Sequence, residues 1–185
     1  MSEVRVGIVG VGLLGLGIAT NILKGGYDLA FLDHPGNQPV EALIGAGAKS
    51  AASGAEVAAA SDVIILCVTG SPQVEDILTR KDGVLAGLKA GAMVVDCSTA
   101  VPSSTVKLAG LVAESGGRFI DAPMTRTPRE AMEGRLNLIV GGAEADFEEA
   151  LPLLETFAEN ITHIGEVGSG HTMKLLHNYV SLGFT

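Results

Sequence analysis

Gly10, Gly12 and Gly15 stand in GVGLLG, a GxGxxG pattern directly after the apolar run VRVGIVG and directly before a helix-like run. The chemistry this spacing suits is anion binding by backbone. Gly10 permits the tight turn, Gly12 lets a pyrophosphate approach the main chain, and Gly15 lets helix and strand pack closely; free N–H groups at the helix start, including those of Leu13 and Leu14, then face the phosphates. Asp33 ends the next apolar run 21 residues beyond Gly12, the spacing of a carboxylate that accepts from an adenosine ribose. A carboxylate repels a 2′-phosphate, and His34 and Pro35 supply no guanidinium to reverse that preference, so NAD is the expected cofactor. The histidines have no ligand spacing with cysteine or carboxylate, so no metal is expected. There is no GxSxG and no Cys/His nucleophile pair.

The elements that must hold these groups alternate in type. VRVGIVG, DLAFLD, DVIILCV, AMVVDCS and RFIDAP read as strands, separated by LGIATNILKG, the run ending AEVAAAS, SPQVEDILT and VPSSTVKLAGLVAES as helices. LNLIVGG, EADFEEALPLLETFA and NITHIG continue as strand, helix and strand. Strands without polar alternation are buried on both faces, so the expected fold is α/β, a Rossmann-type doubly wound, mostly parallel sheet over residues 1–165. A Gly-rich turn, GEVGSG, leads into a further helix over residues 166–185, where Leu175, Leu176, Tyr179, Val180 and Leu182 form a broad apolar face that another chain or domain should cover.

Composition narrows the partners. Among 185 residues, 47% are hydrophobic and 18% charged, enough apolar content for a sizeable core. Twelve Lys and Arg against twenty-one Asp and Glu give a net charge of −9, which disfavours nucleic acid and anionic membrane. Aromatics at 4% make base-stacking platforms a poor fit, whereas 25 glycines suit close backbone approach to a ligand. Cys67 and Cys97 sit in apolar strand-like runs and imply no disulfide framework. The N-terminal run lacks a basic leader and a cleavage site, so a cytoplasmic location is expected.

Three segments together resemble the β-hydroxyacid dehydrogenase family, which includes 3-hydroxyisobutyrate dehydrogenase and tartronate semialdehyde reductase. GVGLLGLGIATNILKGG is similar to the family's opening GLGxMGxxxAxNLxxxG, with Leu14 in place of Met. DAPMTRTPREAMEGRLNLIVGG, Asp121 to Gly142, is similar to its substrate segment DAPVSGGxxxAxxGxLxxMVGG, and GSGHTMKLLHN, Gly168 to Asn178, to its catalytic GxGxxxKxxNN, with His177 in place of Asn. The resemblance implies hydride exchange between NAD(H) and a small 3-hydroxy acid or its semialdehyde, with Lys174 as general acid/base and Asn178, four residues on along the same helix face, bonding the substrate. It further implies that Val68 and Thr69 face the cofactor and that Ser98 and Thr99 approach the nicotinamide ribose. Family members continue for roughly another hundred residues as an all-helical half that closes the cleft and builds the dimer, the size of a small domain. That half is absent here, so a fragment with weak activity of its own, homo-oligomeric when full length, is expected.

The substrate segment departs from its pattern at MTRT, where the family supplies a serine hydroxyl and glycine amides. Thr125, Arg126 and Thr127 stand there instead, and a similar Arg-Thr pair occurs in sulfolactaldehyde reductase. The arginine is expected to bind the substrate's acid group, a carboxylate ahead of a sulfonate or phosphate, through its planar fork. The alternative is an exposed arginine paired with Glu130. Two other functions compete: a non-catalytic dinucleotide-binding module, against which Lys174 and Asn178 argue, and an imine reductase or reductive aminase, which often replaces the lysine.

Overall fold

The structure, a computed structural model, describes residues 4–183, excluding the Leu182 side chain. The chain order is β1 (Arg5–Val9), α1 (Leu13–Lys24), β2 (Asp28–Leu32), α2 (Glu41–Gly45), β3 (Lys49–Ala51), α3 (Gly54–Ala60), β4 (Val63–Leu66), α4 (Ser71–Thr79), α5 (Val84–Gly87) and β5 (Met93–Asp96). It continues with α6 (Pro102–Glu114), β6 (Arg118–Asp121), β7 (Met124–Thr125), α7 (Pro128–Met132), β8 (Leu136–Gly141), α8 (Glu144–Leu154), β9 (Ala158–Gly165) and α9 (Ser169–Gly183). The short α2, β3, α5 and β7 give no periodicity in the sequence and were not expected from it. No helix among the described residues is long and apolar enough to cross a membrane.

The central strands are apolar at every position because both faces are covered. Met93, Val95 and Ile65 enter one core with Ile18, Ala19 and Ile22 of α1. Their neighbours Val94, Ile64 and Leu66 point the other way, against Val74 and Leu78 of α4 and Leu108 and Val112 of α6. The sheet order is β3-β2-β1-β4-β5-β6-β8-β7, with β9 beside β8. From β3 to β6 all pairs are parallel; β8 runs antiparallel to β6 and β7. The fold is the doubly wound, mostly parallel α/β sheet anticipated. The chain winds outward from β1 in one direction to β3 and then, from β4, in the other. The crevice at the carboxyl ends of β1 and β4 is therefore a topological switch point, where open α/β sheets bind ligands.

Candidate active site

Two loops meet at that switch point. Val9 pairs in register with Leu66, so Gly10 and Cys67, one residue beyond each strand, lie side by side. Gly10 has φ 101°, and a Cβ there would stand 2.1 Å from the Cys67 carbonyl oxygen; one at Gly15 would stand 1.9 Å from the Gly10 carbonyl oxygen. Only glycine fits either place. At Gly12, in contrast, a Cβ would meet nothing within 4 Å, so the backbone there faces open space. Gly12 is the N-cap of α1, makes no side-chain cap, and is followed by a first turn without acidic residues. These unmatched N–H groups open into a cleft of about 610 Å³.

Gly10, Gly12, Leu13, Leu14, Gly15, Val68 and Thr69 all line this cleft. Asp33 is exposed just past β2 and does not, although its neighbours Leu32 and His34 do. Ser98 is also off the lining: it is buried, its Oγ accepts from the Val68 N–H at 3.1 Å, and its own N–H donates to Asp96 Oδ1 at 2.9 Å. It holds the Val68 turn in place from behind, and the adjacent Thr99 is exposed. Gln73, Ile77 and Arg80, which no sequence motif marks, are brought by α4 and its C-cap to the cleft wall with His34 and Asn37. The Arg80 guanidinium lies 3.6 Å from Asp76 and 3.3 Å from Asp82, so its charge is already countered. Cys67 also lines the cleft, but burial pushes its thiol up to about 12, and Cys97 is raised as well. Neither is a thiolate near neutral pH.

The face of α9 that carries Lys174 begins at His171, which is fully buried, and runs through the half-buried Lys174 and Asn178. Spacings of three and four residues put the three on one side of the helix. Burial pulls the Lys174 ammonium below the ordinary lysine range, toward a value useful for proton transfer. His177 is exposed on another side. Beneath the helix start lie two carboxylates in register, Asp96 on β5 and Asp121 on β6. Asp121 accepts the N–H groups of Gly168 and His171, each at 2.7 Å. Burial away from water raises Asp96 toward its protonated form, with the Asp121 charge contributing in the same direction. The apolar side of α9 is open: Leu176, Tyr179 and Val180 are exposed, and the Leu182 side chain lies outside the described residues.

The substrate-like loop between β7 and α7 resolves into distinct roles. Thr127 is the N-cap of α7, in a capping box with Glu130 that uses both its hydroxyl and its backbone N–H. Its hydroxyl therefore has a structural commitment. The Thr125 hydroxyl accepts from Asn137 Nδ2 at 3.0 Å across the β7–β8 pair. Arg126 lines the cleft, and its Nη1 donates to the Arg135 carbonyl oxygen and, at 2.5 Å, to Glu159. Glu159, not Glu130, is its partner. The φ of Arg126 is 85°, the sole left-handed non-glycine residue among the described residues. Behind this loop, the buried Asn21 amide of α1 donates to the carbonyls of Ala131 and Met132, fixing the end of α7.

Residues 5–165 match the family described as the NAD binding domain of 6-phosphogluconate dehydrogenase. The chain belongs to that family. Relatives of this NAD-binding domain include the 2-(hydroxymethyl)glutarate dehydrogenase of Eubacterium barkeri, 35% identical over 95% of this chain and 58% of its own length. The 2-hydroxy-3-oxopropionate reductase of Escherichia coli K12 is 34% identical over 95% of this chain and 60% of its own. Among solved structures, Mycobacterium tuberculosis 3-hydroxyisobutyrate dehydrogenase, determined with L-serine, superposes with a TM-score of 0.89 at 26% identity, covering 97% of this chain and 60% of that one. The chain thus spans about three fifths of the length of these relatives. The NAD-binding domain has the features a dinucleotide needs: open backbone at Gly12, an uncapped helix start, and a cleft continuing past His34 and Ile77.

Proposed function

We propose that the full-length protein is an NAD-dependent oxidoreductase acting on a small 3-hydroxy acid or its semialdehyde, of the 3-hydroxyisobutyrate dehydrogenase type. The observation that carries the reading is the single α9 face of His171, Lys174 and Asn178, whose buried end is bonded to the loop that shapes the cofactor cleft. Gly10, Gly12, Leu13, Leu14 and Gly15 hold the pyrophosphate, Val68 and Thr69 line the path toward the nicotinamide, and Ser98 and Thr99 shape that end of the path from behind. Asp33 selects NAD over NADP: the nearby Arg80 offers a 2′-phosphate little, since two carboxylates already face it. When bound, the cofactor supplies or accepts hydride.

The chain's own residues manage the proton and the acid group. In reduction the Lys174 ammonium donates a proton to the carbonyl oxygen of the semialdehyde; in oxidation the neutral amine takes the proton of the hydroxyl. Asn178, one turn on, donates from its amide to the same substrate. Arg126 presents the rest of its guanidinium to the substrate anion, a carboxylate ahead of a sulfonate, because its bonds within the described residues all leave from Nη1. The open apolar side of α9 is covered by a second domain or a second copy of the protein. NADH oxidation by the full-length enzyme with a panel of acidic aldehydes tests the function. Turnover identifies the substrate; no turnover with any of them refutes the proposal.

A further inference from the structure

The buried residues under α9 tie together three parts of the site that are far apart in sequence. Asp121, fully buried at the end of β6, uses both carboxylate oxygens on the first turn of α9, Oδ1 for the Gly168 N–H and Oδ2 for the His171 N–H. The approach is so close that a Cβ at Gly170 would stand 2.8 Å from Asp121 Oδ2. A carboxylate at this place satisfies two of the helix's orphan donors and meets the positive end of its dipole. Asp96, its register neighbour on β5, grips the other loop by accepting the Ser98 N–H.

His171 joins the two. Its Nε2 lies 3.0 Å from the Ser98 carbonyl oxygen and its Nδ1 2.8 Å from Thr105 Oγ1 on α6. A carbonyl can only accept, so Nε2 carries a proton and donates it to Ser98, while Nδ1 is partnered by the Thr105 hydroxyl, which also donates to the Val101 carbonyl at 3.2 Å. Asp121 Oδ2 lies 3.6 Å from the same Nδ1, and Asp96 and Asp121 are the titratable groups that interact with the ring. Nothing here opens to solvent: His171 and both carboxylates have no exposure, and Thr105 and Ser98 have 1% and 3%. Buried groups held by this many bonds favour one arrangement, because a shift of the helix start would leave the Asp121 oxygens and the Ser98 carbonyl unpaired in a dry place. Lys174 is three residues after His171 on the same helix face.

We infer that His171 is a positioning residue: with Asp121 it locks α9 to the Ser98 loop and so sets the distance between the Lys174 amine and the nicotinamide end of the cleft. The inference rests on the proposed role of Lys174. Misplacing a reacting group by about 1 Å costs up to ~100-fold, so a locked helix start is worth more to rate than to cofactor affinity.

The test is made on the full-length enzyme with three variants, each first measured for folding by circular dichroism. His171→Leu removes both ring bonds, Thr105→Val removes one while preserving shape, and His171→Gln restores an amide donor toward the Ser98 carbonyl. The expected result for His171→Leu is a fall in kcat of about 10- to 100-fold. NADH affinity by fluorescence titration stays within about twofold, since the cleft lining is unchanged. The pH limb of kcat/KM moves upward, because an α9 that swings outward returns Lys174 to water and removes the burial that lowers it. Thr105→Val gives a smaller change of the same kind, and His171→Gln recovers most of kcat. Unchanged kcat and an unmoved limb in folded His171→Leu overturn the inference, as does a loss of NADH binding parallel to the loss of kcat. If His171→Leu does not fold, normal kcat and an unmoved limb in Thr105→Val overturn it. Lys174→Ala separates the two claims: a limb that survives in that variant refutes the role of Lys174 itself, whereas a limb lost there but unmoved in the His171 and Thr105 variants refutes positioning alone.

Discussion

Replacing Arg126 by glycine separates what this side chain does for the fold from what it does for a substrate. Its φ of 85° places an L-residue in left-handed backbone, which costs about 1–2 kcal/mol that glycine does not incur. Against this, the side chain makes an ion pair with Glu159, which is 44% exposed, so water screens most of its contribution. The bond to the Arg135 carbonyl adds a further ~1 kcal/mol, and glycine's extra freedom when unfolded costs Arg126→Gly roughly 0.5–1 kcal/mol. These contributions nearly cancel, so the melting temperature of Arg126→Gly should lie within about 4 °C of the parent, the shift that ~1 kcal/mol produces at this size. Catalysis should not be neutral. A charge-assisted contact to the substrate anion is worth ~1.5–3 kcal/mol, so kcat/KM for an acid-bearing aldehyde should fall about 10- to 150-fold. Steady-state kinetics of the full-length enzyme on a matched pair of aldehydes, one acidic and one uncharged, gives the answer. An equal loss on both, or no loss on either, would show that Arg126 does not read the acid group. A tenfold rise in the NADH dissociation constant would assign it to the cofactor instead.

Three further outcomes follow from the site. Lys174→Ala should lower kcat by at least ~100-fold with NADH binding retained; in the parent, reduction needs the ammonium and so declines as pH rises through a Lys174 value below the ordinary 10.5, while oxidation needs the amine and rises through the same value, as paired pH–rate profiles would show. NAD(H) should be preferred over NADP(H) by at least ~10-fold in kcat/KM, and Asp33→Ala should shrink that gap; equal use of both cofactors by the parent would remove Asp33 from the site. Asn21→Ala should lower the melting temperature by roughly 2–12 °C in thermal unfolding, because it strips a buried donor from the Ala131 and Met132 carbonyls at a cost of about 1–3 kcal/mol.

The parts of the site readable in the sequence are those whose chemistry is local. The Gly10 to Gly15 turn declares itself because strand, turn and helix start are consecutive, and the backbone does the binding. The alternation of apolar runs gives the sheet for the same reason, since each central strand is buried on both faces by its own neighbours. Arg126 could be singled out by type, but its left-handed backbone and its pairing with Glu159 could not, because Glu159 arrives from β9, 33 residues away. Arg80 escaped notice since nothing periodic distinguishes the end of α4, and only the doubly wound order brings it opposite His34.

The cluster under α9 shows why distance in sequence hides function. His171 is separated by 73 residues from Ser98, 66 from Thr105 and 50 from Asp121. In the sequence, Asp96 and Asp121 are merely strand-end acids, the commonest place for a turn-capping carboxylate. Parallel pairing of β5 with β6 turns them into neighbours, and the crossover through α6 brings Thr105 to the same place. A doubly wound sheet delivers the ends of its parallel strands to one edge, so residues that follow β1, β4, β5 and β6 converge whatever their spacing. The glycine turn after β1, the Val68 turn after β4, Ser98 after β5 and Asp121 at the end of β6 are four instances of that one rule. Helix α9 then crosses this edge with its first turn bonded to two of the four. In the role proposed for Lys174, its helix is thereby positioned by groups that themselves need never touch the substrate.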